Sequence, residues 1–180
     1  MVEEPARRKV EGEEGVSGFV PVCLSSLCSD TLADFDLYLR VPNLSKPVLY
    51  RQRDLPFTED VRQRLLHRGV ARLYVLVEDH GRYMRYVERN LPTILKDPSL
   101  PTETKTDLLY RSATNMMSEI FEQPRAGDVL RRSRDLVWST CDYMLKDRFA
   151  LQGLLRVMSF DYYTYTHSLN VFVFTVSLAR

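Results

Sequence analysis

Hydrophobic positions along the chain follow two different periods, and the change comes near residue 100. In the first half, Phe35, Leu37, Leu39 and Val41 alternate with Asp36, Tyr38 and Arg40, which places one apolar row on one face of a half-buried antiparallel strand. Pro42-Asn43 and Ser45-Lys46-Pro47 supply turn chemistry, and Val48-Leu49-Tyr50 is the expected hairpin partner. Phe19-Val20-Pro21-Val22 reads as a short strand at a sheet edge, because Pro21 cannot donate to a ladder. Leu73 to Val77 is an unbroken apolar run, the pattern of a buried strand.

Two helices are predicted among these strands. Thr58 is placed to cap the first, with Glu59 and Asp60 in the turn where carboxylates favour the positive end of the helix dipole, and Gly69 to end it. The second follows Glu78-Asp79-His80-Gly81, carries Tyr83, Tyr86 and Val87, and stops before Asp97-Pro98. Residues 18–97 thus read as a small α/β module.

From Pro101 onward only the helical period is left. Leu109, Ala113, Met116 and Ile120 step by four, three and four, so they share a face. Gln123-Pro124-Arg125-Ala126-Gly127 breaks that helix, and the next is predicted to bury Leu130, Val137, Cys141 and Met144 as one stripe. A short apolar helix around Phe149 to Val157 is interrupted by Gly153. A last helix sets His167, Val171, Phe174 and Leu178 on one face. Residues 98–161 form a helical lead-in and 162–180 the final helix, so the expected class is α+β, an α/β module followed by an incomplete helical bundle.

Composition narrows the classes. Residues 1–17 mix five glutamates with Arg7, Arg8 and Lys9 and hold little to bury, which predicts a disordered tail. The net charge of +1 gives no field that would mark a nucleic-acid or membrane-surface binder. Three cysteines with no CxxC pair favour a reducing, cytoplasmic setting over a disulfide or zinc scaffold. The longest apolar run, Leu169 to Ala179, is interrupted by polar residues and falls short of the roughly 20 needed to span a bilayer.

Candidate chemistry is sparse. There is no glycine-rich phosphate loop and no Gly-x-Ser-x-Gly elbow. Cys23 and Cys28 lack a neighbouring histidine and read as packing residues. His67 and His80 are isolated and receive no site; the aromatics Phe160, Tyr162, Tyr163 and Tyr165 read as packing at a helix start. Arg132 and Asp135 fit an R-x-x-D pattern of the kind that grips cyclic dinucleotides, yet on an amphipathic helix they read as a solvated face. His167 alone among the histidines sits on an apolar helix face. On residue type it reads as a hydrogen-bonded core residue, and only the phrase around it points to a metal.

That phrase is Tyr163-Thr164-Tyr165-Thr166-His167-Ser168-Leu169-Asn170-Val171. It resembles the opening of the catalytic domain of bacterial HD-GYP phosphodiesterases, which hydrolyse cyclic-di-GMP. Phe35 to Arg40, Val48 to Arg51, Gly69-Val70 and Leu73 to Val75 resemble the small module that often precedes that domain. The resemblance implies that His167 is the first metal ligand, and that residues 162–180 are the first helix of an HD-GYP domain. It implies a divalent metal pair, iron or manganese, in a full-length relative. Tyr163 stands where a third-metal acid would be, which implies a two-metal site.

Between Ser168 and Arg180 there is no His, Asp or Glu, so this stretch is expected to bind no metal pair and to be inactive alone. The expected role is regulatory, with cyclic-di-GMP engaged only through a full-length catalytic domain. The alternative is a stand-alone protein-interaction module. Either way the stripe His167, Val171, Phe174 and Leu178 would lack its covering helices, which predicts self-association or a helix-bound protein partner.

Overall fold

The computed structural model describes residues 16–122, 127–158 and 164–178, with side chains from residue 167 in the last segment. Nearly all of the predicted tail, the break at 123–126, the aromatics Phe160, Tyr162 and Tyr163, and the side chain of Tyr165 lie outside what is described. The architecture is α+β, as the change of period predicts.

Four strands make an antiparallel sheet. Strand β1 (Phe19–Cys23) pairs along its length with β6 (Arg72–Leu76), from Phe19 opposite Leu76 to Cys23 opposite Arg72. Tyr74 of β6 faces Tyr38 of β3 (Leu37–Leu39), and β3 pairs on its other side with β4 (Val48–Arg51), giving the order β1-β6-β3-β4. Pro21 sits on an edge strand, where its missing N–H costs nothing. β3 is shorter than the alternation from Phe35 to Val41. Leu37 faces Arg51 while Tyr38 faces Leu49, so Tyr50 is the extra residue of a bulge that ends the regular ladder. A second ribbon, β2 (Thr31–Leu32) with β5 (Pro56–Phe57), is two residues wide and too short to leave a period in the sequence.

Helix α1 (Glu59–His67) begins as its residues dictate. Thr58 accepts at its hydroxyl from the Val61 amide at 3.4 Å, and Gly69 takes φ +70 just past the end. Helix α2 (His80–Lys96) covers the sheet. Its Tyr83 and Tyr86 rings meet Phe35 edge-on, with centroids 5.8 and 5.5 Å away, in a core that includes Leu73 and Val75. The Tyr83 hydroxyl donates to Ser26 at 2.8 Å, and burial pushes its phenol up to about 12. Further along, Leu91 and Leu95 of the same helix point into a different core. Pro92, between them, removes the intrahelical donor to the Glu88 carbonyl.

The second core is built by α3 (Thr102–Glu122), α4 (Val129–Lys146), α5 (Ala150–Val157) and α6 (Thr164–Leu178). Leu109, Ala113 and Met116 of α3 are buried and Ile120 is half-buried, as their spacing predicts. Of the stripe expected on α4 only Met144 is fully buried, with Cys141 half-buried. Val129, Leu136, Thr140 and Tyr143 face inward with Met144, whereas Leu130 is 74% and Val137 41% exposed. The two rows differ by one residue, a rotation of about 100° on the helix. Both rows are apolar, so periodicity alone does not choose between them.

Gly153 lies where α5 crosses α3. A Cβ added there would stand 2.7 Å from Thr106 Cγ2 and 3.2 Å from Thr102 Cγ2, so the crossing depends on the glycine. Among the described residues no helix is long and apolar enough to cross a membrane.

Candidate functional site

Helix α6 is apolar around most of its surface, and it turns two faces to different surroundings. Leu169 and Val173 are buried against α3, with Phe172 and Val176 half-buried beside them. Asn170, also buried, accepts at Oδ1 from the Tyr110 hydroxyl at 3.4 Å, which gives the face a polar register mark. The opposite face carries His167, Val171, Phe174 and Leu178, all exposed, with Leu178 at 89%. His167 is therefore no core residue. It makes no hydrogen bond or ion pair with another described residue.

The structure does not gather the other histidines around it. His67 is exposed at the end of α1, and His80 opens α2 with its ring 6.2 Å from that of Tyr83. Among the described residues no three His, Cys, Asp or Glu side chains lie close enough to hold a metal ion. A divalent metal needs several N or O ligands at fixed geometry. One exposed imidazole does not meet that requirement, so the described residues do not fit a metal pair.

Arg132 occupies a setting that the sequence misrepresents. It is not on a solvated face, since its side chain is only 14% exposed. Its Nε and Nη2 donate to the two oxygens of Glu88 at 2.8 and 2.7 Å, and Nη1 donates to Glu119 at 2.7 Å. The guanidinium fork thus ties α4 to α2 and α3 at once. The Glu88 hydrogen bonds hold its proton more tightly than in a free arginine, with burial opposing and Glu119 adding to the effect. Asp135 is at the surface, its carboxylate 3.8 Å from Arg134. The R-x-x-D pair therefore splits into one structural arginine and one solvated acid, and its arginine is not available to a dinucleotide. The only sequence sign was a glutamate on each neighbouring helix, which is too common a pattern to stand out.

The cysteines behave as packing residues. Burial pushes the Cys28 thiol up, with Arg62 opposing, so it is a poorer nucleophile than a free cysteine.

No protein-family model matches the chain, and no curated protein matches it. Among solved structures it is similar to Bd1817, an HDG"Y"P protein from Bdellovibrio bacteriovorus, with a TM-score of 0.51 and 23% identity. The similarity covers 89% of this chain and 52% of that one, so the chain spans about half the length of that protein. At this identity the two share a fold.

Proposed function

We propose that this chain is the regulatory N-terminal part of a cytoplasmic HD-GYP-type cyclic-di-GMP phosphodiesterase. On this reading residues 18–97 are the regulatory module, 98–161 the helical lead-in, and α6 the first helix of the catalytic domain. The observation that carries it is the fold shared with the Bdellovibrio protein across both the sheet and the helices. The outward row of α6 supports it too, because His167 there faces the side on which further helices would pack. His167 is then one ligand of a metal pair whose other ligands come from a full-length catalytic domain. No catalytic step follows from the described residues, among which no three potential ligands come together.

The test is to read the gene beyond codon 180 and to assay both products. The expected result is a continuing frame with a His-Asp pair. The long product should hydrolyse cyclic-di-GMP, lose at least about 100-fold activity on His167→Ala, and hold less metal; residues 1–180 alone should release no linear dinucleotide. A closed frame, or a His167→Ala enzyme with full activity and metal content, overturns the reading.

A second reading, an interaction module without catalysis, draws on the same exposed row. Val171 is 50% and Phe174 43% exposed, and with Leu178 they form a continuous apolar strip. Light scattering of residues 1–180 is expected to show self-association that Phe174→Glu with Leu178→Glu abolishes. A monomer at high concentration removes the support for a self-docking surface.

A further inference from the structure

An open groove of about 870 Å³ lies between the C-terminal ends of α2 and α4, over the start of α3. It is large enough for a small-molecule ligand. At its wall the Lys105 side chain lies along the groove, the residue 8% exposed, and its ammonium makes no hydrogen bond or ion pair with a described residue. The stem of Lys105 is covered while its ammonium is unpaired, so the charge is available to an anion in the groove.

Asp142 and Asp147 line the groove themselves, and each has a partner there. Asp142 pairs with Lys146 at 2.6 Å, and Asp147 accepts at Oδ1 from the Phe149 amide at 2.8 Å. Asp97 is close enough for its charge and that of Lys105 to be felt mutually, but it bonds Ser99 through both the amide and the hydroxyl. The Tyr143 hydroxyl also lines the groove, buried and without a hydrogen bond of ordinary geometry. The side chains of Asp147 and Thr102 are the groups its hydroxyl interacts with. Two further cations, Lys96 and Arg148, stand exposed at the rim.

The same wall offers an aromatic plane. Trp138 is 69% exposed, so its indole face is open to a ligand in the groove. Phe149 lies on the other side with the Arg148 guanidinium 4.4 Å from its ring centre. A phosphate or carboxylate between Lys105, Tyr143 and the rim cations would leave an attached planar ring beside Trp138.

From this combination we infer that the groove binds a small anion bearing a planar ring. A nucleoside monophosphate and an aromatic carboxylate are the two sources of that chemistry. The site is distinct from the exposed row of α6 and does not depend on the function proposed above.

Trp138 is the chain's one tryptophan, so its fluorescence reports the groove directly. Residues 1–180 would be titrated with AMP, adenosine, phenylacetate and inorganic phosphate. Saturable quenching by AMP or by phenylacetate is expected with Kd below about 1 mM, and adenosine and phosphate should bind at least about tenfold more weakly. Saturation by AMP alone identifies the phosphate source, and by phenylacetate alone the carboxylate source. Lys105→Met should weaken binding at least about tenfold with an unchanged circular dichroism spectrum. If that variant does not fold, the exposed pair Lys96→Gln with Arg148→Gln carries the same expectation. The inference is overturned if neither AMP nor phenylacetate saturates up to about 10 mM, or if the folded charge variant binds as the parent does.

Discussion

Arg132→Ala is expected to destabilise the fold by about 3 kcal/mol. The value sits at the low end for a broken buried ion pair, because Glu119 keeps 28% of its side chain in solvent while Glu88 keeps 9%. The loss comes less from missing attraction than from the two carboxylates left in a confined space without a cation. A control separates these causes. Replacing Arg132, Glu88 and Glu119 together by methionine should cost less than Arg132→Ala alone, since no charge is stranded. Urea unfolding measures both. Equal losses in the single and triple variants would mean that packing, not charge compensation, sets the value.

The second large effect belongs to Gly153. Gly153→Val should cost about 3 kcal/mol, since a branched side chain must enter a space where even a Cβ would stand 2.7 Å from Thr106 Cγ2. Thr106 is fully buried and its hydroxyl donates to the Thr102 carbonyl at 2.9 Å, so it has no easy route aside. Gly153→Ala should cost only about 1 kcal/mol, because the gain in helix propensity, roughly 1 kcal/mol, offsets part of the overlap. Thr106→Ser removes the obstructing methyl and should recover part of the loss in the Ala variant. Thermal unfolding of the single and paired variants measures this coupling. Additive losses would place the strain elsewhere than at the Thr106 methyl.

The regular elements were legible because each carries a local physical mark. Thr58 and Gly69 bracket α1 by cap chemistry, and Leu73 to Val75 are apolar on both faces because the strand is buried on both. What could not be read was which of two apolar rows turns inward. On α4 the inward row depends on where Arg132 meets Glu88 and Glu119, contacts that span 44 and 13 residues. The outward row of α6 was legible as a row, and the structure adds that Leu169, Asn170 and Val173 are its buried counterpart. Lys105 was not legible at all. In the polar run Thr102-Glu103-Thr104-Lys105-Thr106-Asp107 a lysine reads as solvated, and only the packing of neighbouring helices against α3 covers its stem.

Helix α2 has a consequence for how such a chain is inherited. Tyr83, Tyr86 and Val87 complete the core under the sheet, and Leu91 and Leu95 complete the core of the helices. A recombination point placed before α2 would leave the sheet without its cover. One placed after it would transplant Leu91 and Leu95 into water. Gene shuffling can therefore move the sheet to a new protein only together with a neighbour that accepts the far end of this helix, so the two halves are constrained to travel as a lineage.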